Sequence, residues 1–323
     1  MKLLRSFSAL LFISIFLWSC SDTTTNTGSS STNGRSDSND QEYRLAAMSP
    51  GFAVMLRDLG MEDQIVAKHD YDLVLSSQVP AAGSELGFDL EMLIECDPTH
   101  VFFQRTTTER SPELLSIASK RGWTIFERPL ETLDDIAQTM DDLYYLFNGV
   151  PERETGEFDL IQSQQHTQPS ESLAYAWRDR GPVADAAGRV LVLGAVDPIG
   201  AMGPGSYHHQ LVQRLGATSA ISEGAMWIEL DYEDLIAMNP DSIIIIAPRN
   251  PTSESDDASR FGVPETPEFE DAAAMLGPIA DLPISAMKHQ RIGIVDHPLG
   301  LLPSGALGEV GDDIADFFEI WDR

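Results

Sequence analysis

The residues of this chain suited to chemistry are two arginines, four histidines, a glycine turn and a few aromatic rings. Arg105 closes the apolar run 101–104, and Arg249 follows the apolar run 243–247, so each stands where a buried strand should end. A guanidinium there offers a planar pair of donors to a carboxylate or phosphate. Gly203, Pro204, Gly205, Ser206 and Tyr207 precede a helical pattern. Their amides either receive an anionic oxygen or merely cap the helix. Nucleotide loops are excluded, because no Gly-Lys-Ser/Thr follows and the glycine spacing misses the dinucleotide pattern. A metal would need His69, His208, His209 and His297 to converge. His208 and His209 are neighbours pointing about 100° apart on a helix, and no spacing matches a zinc signature. Tyr71, Phe88, Tyr207 and Trp227 offer flat faces for stacking or for packing. Ser206 near His208 lacks a carboxylate placed to orient the imidazole, and neither Gly-x-Ser-x-Gly nor His-Glu-x-x-His occurs. Binding is favoured over catalysis.

The elements that must position these groups come from a repeated phrase. Asp89–Phe103 aligns without a gap on Asp231–Ile245, sharing the opening Asp, Glu91 with Glu233, a Leu-Ile pair, and Pro98 with Pro240. Each copy predicts a short helix feeding a buried strand. The Asp caps the helix and the Glu meets the positive end of its dipole. The proline stops it before an apolar run. Around the phrase, strands are expected at 44–48 and 189–194 and again at 123–126 and 292–295, with helices ending at Gly60 and Gly216. Each half then reads β-α-β-α-β. The expected class is α/β: two Rossmann-like lobes with parallel-rich central sheets, joined by one helical linker kinked or broken near Pro169. Ligands of such sheets bind beyond the carboxyl ends of the strands. The candidates there in the first lobe are Ser49, Pro50, Phe52, His69, Tyr71, Phe88 and Arg105. Those in the second are Gly205, Ser206, Tyr207, Trp227, Arg249 and His297.

The bulk of the chain fits this plan. Its 323 residues suffice for two ordinary cores, and 42% hydrophobic content is that of a globular protein. A net charge of −30 argues against nucleic acid or anionic lipid as partners of the folded part. Residues 1–20 carry Lys2 and Arg5 before an apolar stretch too short to span a bilayer, ending at Cys20. Residues 21–41 are Ser, Thr, Asn, Asp and Gly with little to bury, a flexible tether. With Cys20 acylated, Cys96 would have no partner, and its apolar helix makes it a core residue. The expected order is a leader over 1–20, a tether over 21–41, a lobe over 42–148, a linker over 149–187 and a second lobe over 188–323.

These features resemble one family. Leu17-Trp-Ser-Cys20 is similar to the lipobox of bacterial lipoproteins. Arg44 to Pro50, Leu90 to Phe102, Gly203 to Ser206, and Asn239 to Asp241 resemble segments of the solute-binding proteins of ABC importers for iron–siderophore complexes, haem or vitamin B12. Pro169 and the acidic insertion after Pro248 depart from that pattern. The resemblance implies a lipoprotein with Cys20 as its acylated terminus, held to a bacterial membrane by that anchor alone, at the periplasm or cell surface. It implies capture of a ferric siderophore, haem or cobalamin between the lobes and delivery to a permease dimer with its ATPase subunits, with no resident cofactor and no enzymatic activity. It also implies that Glu91 and Glu233 meet arginines of the two permease subunits. Two alternatives stand beside it: a divalent-metal receptor of the same fold, and an enzyme on a chelatase-like two-lobe fold. The insertion 249–270 is expected to be a lid or disordered.

Overall fold

A computed structural model describes residues 43–84, 87–105, 111–149, 168–247 and 269–323. Cys20, the tether, Arg249 and nearly all of the acidic insertion lie outside the described residues.

The N-terminal half opens with β1 (Leu45–Ala47), whose three side chains are all buried. Helix α1 (Pro50–Asp58) follows, started by Ser49, whose Oγ accepts the Phe52 amide, and by proline at its first turn. Next come β2 (Ile65–Lys68), a two-residue hairpin of β3 (Gly83–Ser84) with β4 (Gly87–Phe88), and α2 (Leu90–Cys96). Then follow β5 (His100–Gln104), α3 (Pro112–Arg121), β6 (Thr124–Arg128) and α4 (Leu133–Asn148). The sheet order is β2-β1-β5-β6, every pairing parallel. At Pro169 a helix starts afresh, as expected. The proline occupies the first turn of α5 (Pro169–Ala176), where its missing amide costs nothing, and a turn at Gly181 leads into α6 (Pro182–Ala186). The described part of the linker is thus two short helices.

The C-terminal half runs β7 (Arg189–Val196), β8 (Ile199–Met202), α7 (Tyr207–Arg214), β9 (Thr218–Ser219) and β10 (Trp227–Leu230). It continues with α8 (Tyr232–Met238), β11 (Ser242–Ile246), α9 (Phe269–Leu276), α10 (Ser285–Lys288), β12 (Ile292–Val295) and α11 (Leu307–Trp321). β9, β7, β11 and β12 pair in parallel, repeating the first sheet. β11 reads Ser-Ile-Ile-Ile-Ile and is wholly buried, as a central parallel strand must be. The predicted repeat holds down to its turns. Asp97 and Asn239 end α2 and α8 in the same left-handed conformation, φ 43° and 45°, before the matched prolines.

The two halves share one core. Leu45, Phe52 and Phe102 of the first belong to the same apolar cluster as Val190, Leu211 and Phe318 of the second, with linker Trp177 between. Polar ties reinforce the seam: the Leu133 amide donates to Gln210, and Arg214 pairs with Asp134. Gly51 lets the halves meet, since a Cβ there would stand 2.7 Å from the Pro303 carbonyl oxygen. A seam packed this way resists hinging, because separation would expose apolar surface. Small-angle scattering with and without bound ligand is expected to give the same radius of gyration. Compaction by several ångströms would show that the seam opens.

Candidate ligand cleft

In the N-terminal sheet, register fixes which residues share the carboxyl edge. Ala47 lies opposite both Lys68 and Phe102, and Gln104 lies opposite Arg128. The segments beginning at Ser49, His69 and Arg105 therefore emerge together. Tyr71 is 67% exposed and stands 5.6 Å from the His69 ring. Arg105 is held by Glu127, Nε to Oε1 3.6 Å, with about half of its side chain open to solvent. Phe88 packs at 5.6 Å against Phe103 behind this edge. Phe52 is corrected from cleft to core: it is fully buried, its ring 5.9 Å from those of Phe102 and Phe126. Ser49 is buried and capping α1, which leaves Pro50 as the outward residue of that turn.

The C-terminal sheet departs from the first at this edge. β7 continues past the end of its parallel pairing, and β8 and β10 join it in antiparallel register, making a three-stranded projection. Trp227 sits at its root, opposite Met202. A Cβ on Gly200 would lie 1.9 Å from the indole, and one on Gly194 2.9 Å. Two glycines thus clear a shelf on which the ring lies, 46% of the residue still exposed. Sequence reasoning named Trp227 but not its shelf. The signal was present in Gly194 and Gly200 around a strand end, where missing side chains admit close approach.

The glycine turn proves to be a cap. Ser206 Oγ accepts the His209 amide and donates to the Gly203 carbonyl, while Gly205 adopts φ 91° against Met226. Tyr207 donates its hydroxyl to the Leu301 carbonyl, and burial raises its pKa far above the phenol range. His208 donates Nε2–H to the Gly300 carbonyl, 2.6 Å, and complete burial pushes its pKa down to about 4.

The histidines do not converge. His209 Nε2 bonds the Ile221 carbonyl. Both His69 and His297 accept a backbone amide at Nδ1, from Tyr71 and Leu299. That acceptance places the ring hydrogen on Nε2 and removes the lone pair a metal would need there. Among the described residues no three His, Cys, Asp or Glu gather as a metal site. His297 donates to Glu309 on α11 instead.

Glu91 and Glu233 occupy the second position of α2 and α8, both exposed, behind the capping aspartates Asp89 and Asp231. Each helix turns directly into the amino end of β5 or β11, so its own start lies at the carboxyl edge. The two glutamates are thereby equivalent points on the two rims.

This arrangement is the fold of periplasmic solute-binding proteins for haem, vitamin B12 and iron. The haem-binding protein HutB of Vibrio cholerae superposes with a TM-score of 0.58 at 16% identity, covering 86% of this chain and 99% of that one. The vitamin B12-binding protein BtuF of the same organism gives 0.57 at 14%, covering 87% and 98%. The haem-binding protein RhuT of Roseiflexus sp. RS-1 gives 0.56 at 18%, covering 87% and 100%. No protein-family model and no curated protein matches the chain by sequence.

Proposed function

We propose that this chain is the solute-binding lipoprotein of an ABC importer, taking an iron chelate (siderophore or haem) or a corrinoid such as vitamin B12. The carrying observation is the Trp227 shelf: an indole backed by two glycines and still half exposed suits a large flat ring. Tyr71, exposed at the edge of the other sheet, is the matching aromatic, and Arg105 is an anchor for an anionic substituent. This combination favours a macrocycle over a globular ferric siderophore. It also disfavours a bare divalent cation, which would need ligating groups rather than rings. The neighbours bind solutes and are not named as enzymes, which supports a carrier without turnover.

The test is visible-absorption titration of the purified protein with haem, cobalamin and several ferric siderophores. One macrocycle is expected to bind in the micromolar range or tighter, and Trp227→Ala should weaken it about tenfold or more, close to 1.4 kcal/mol. Failure to bind any of them, or equal affinity in the variant, would remove the shelf from the argument.

The anchor belongs to the same proposal. Cys20, acylated, would hold the domain to a bacterial membrane through the tether, at the periplasm or cell surface. Cys20→Ala is expected to move the protein from the membrane to the soluble fraction. A variant still wholly membrane-bound would sink the lipoprotein assignment.

A further inference from the structure

A pocket of about 310 Å³ opens on the seam between the halves, apart from the edge that carries Tyr71 and Arg105. Three parts of the chain build it. α1 contributes Arg57 and Asp58, at the far end of a helix whose start stands at the carboxyl edge, about 12 Å away at 1.5 Å per residue. Met140 of α4 and Leu173 of α5 form an apolar floor, closed by Leu299 from the C-terminal half. Gly305 keeps the space open, since a Cβ there would lie 3.0 Å from the Met140 methyl and 3.6 Å from Asp58 Oδ2.

The rim is acidic. Arg57 is already engaged by its neighbour Asp58, Nη2 to Oδ1 2.8 Å. His297 donates Nε2–H to Glu309 at 3.1 Å while its Nδ1 accepts the Leu299 amide. That hydrogen bond holds the Glu309 carboxyl below its usual range, and the group is ionised at neutral pH. One guanidinium thus faces two carboxylates, Asp58 and Glu309, over an apolar floor. Asp313, one turn beyond Glu309 on α11, is pushed up to about 6 by burial, with His297 opposing the shift and Asp316, Glu309 and Asp312 adding to it.

The geometry points to a second binding site in this pocket, for a small primary ammonium compound with a compact apolar body. The ammonium would be held by Asp58 and Glu309, and the body would rest on Met140, Leu173 and Leu299. The volume lies at the lower end of the roughly 300–1,000 Å³ range of small-molecule sites, which selects a single-ring amine over a macrocycle. An occupant there touches both halves and the linker, so it stabilises the packed seam by binding the folded chain alone. None of the pocket's lining residues belongs to the Trp227 shelf.

Phenethylamine, a cation at pH 7.5, is the probe, titrated by calorimetry into the full chain. 2-Phenylethanol and phenylacetate serve as neutral and anionic counterparts. The amine is expected to bind at least tenfold tighter than either. Glu309→Gln should weaken it about tenfold, and Ser172→Trp, at an exposed rim position, should abolish it with the circular dichroism spectrum unchanged. Trp227→Ala should leave amine binding intact, which separates this site from the cleft. Equal binding of the three probes, amine binding that survives Ser172→Trp, or none up to about 10 mM, a free energy of under 3 kcal/mol, would overturn the assignment.

Discussion

A double variant Glu91→Ala with Glu233→Ala is expected to bind ligand as the parent does, melt near the parent temperature and fail to support uptake. The expectation begins from local chemistry. Both carboxylates lie in the first turn of their helices, where the dipole rewards negative charge by about 0.3–1 kcal/mol at an exposed site. Asp89 and Asp231 accept the helix amides and remain in place. The stability cost is therefore small. Neither glutamate has a described salt bridge, and neither belongs to the apolar clusters, so the cleft loses nothing by their removal. On the importer role proposed above, two exposed charges at matched places on a pseudo-twofold body would suit a permease dimer bearing a cation on each subunit. Charge complementarity of that kind orients docking and speeds association. Uptake in cells and ligand affinity in vitro, measured on one variant, separate the roles. Normal uptake, or lost ligand affinity, would refute docking.

How much of this was legible beforehand depended on where the information is local. Asp89, Pro98 and their counterparts Asp231 and Pro240 each act within four residues, so caps, stops and following strands were readable, including the strand at 292–295. The projection of β8 and β10 was not readable. Gly200 and Trp227 meet across strands, and a strand such as Ile-Gly-Ala-Met carries too little alternation to declare itself. The same holds for Phe52. Its position just past Ser49 and Pro50 put it at the expected cleft, yet the helical turn begun by Ser49 rotates its ring inward onto Phe102 and Phe126. The seam was least visible. Gly51 against Pro303 and Trp177 Nε1 donating to the Leu307 carbonyl join segments more than a hundred residues apart, which no periodicity records.

The pH dependence of stability should expose two buried groups with opposite signs. His208 sits fully buried and its pKa falls from 6.5 to about 4 through desolvation, the Gly300 hydrogen bond offsetting a part. Between those values the unfolded chain binds the proton and the folded chain does not, so stability rises with pH and is lost on acidification. The full shift corresponds to about 3 kcal/mol at 1.36 kcal/mol per pH unit. Asp313 runs the other way. Its pKa rises from 3.8 to about 6, chiefly through burial, so its contribution is present below pH 3.8 and lost as pH climbs through 6. It is partly exposed, and solvent screening keeps its share smaller than that of His208. Protonation of the many surface carboxylates, in a chain of net charge −30, acts on every variant alike, so differences between variants isolate the two groups. Asp313→Asn should therefore be more stable than the parent at pH 7.5, with the advantage gone at pH 4. His208→Gln should be less stable than the parent at pH 7.5, and that deficit should shrink by up to about 3 kcal/mol on descending to pH 4.5. Urea denaturation of the three proteins across this range measures both differences, and a His208→Gln deficit that stays constant with pH would mean that the buried imidazole does not carry the acid sensitivity.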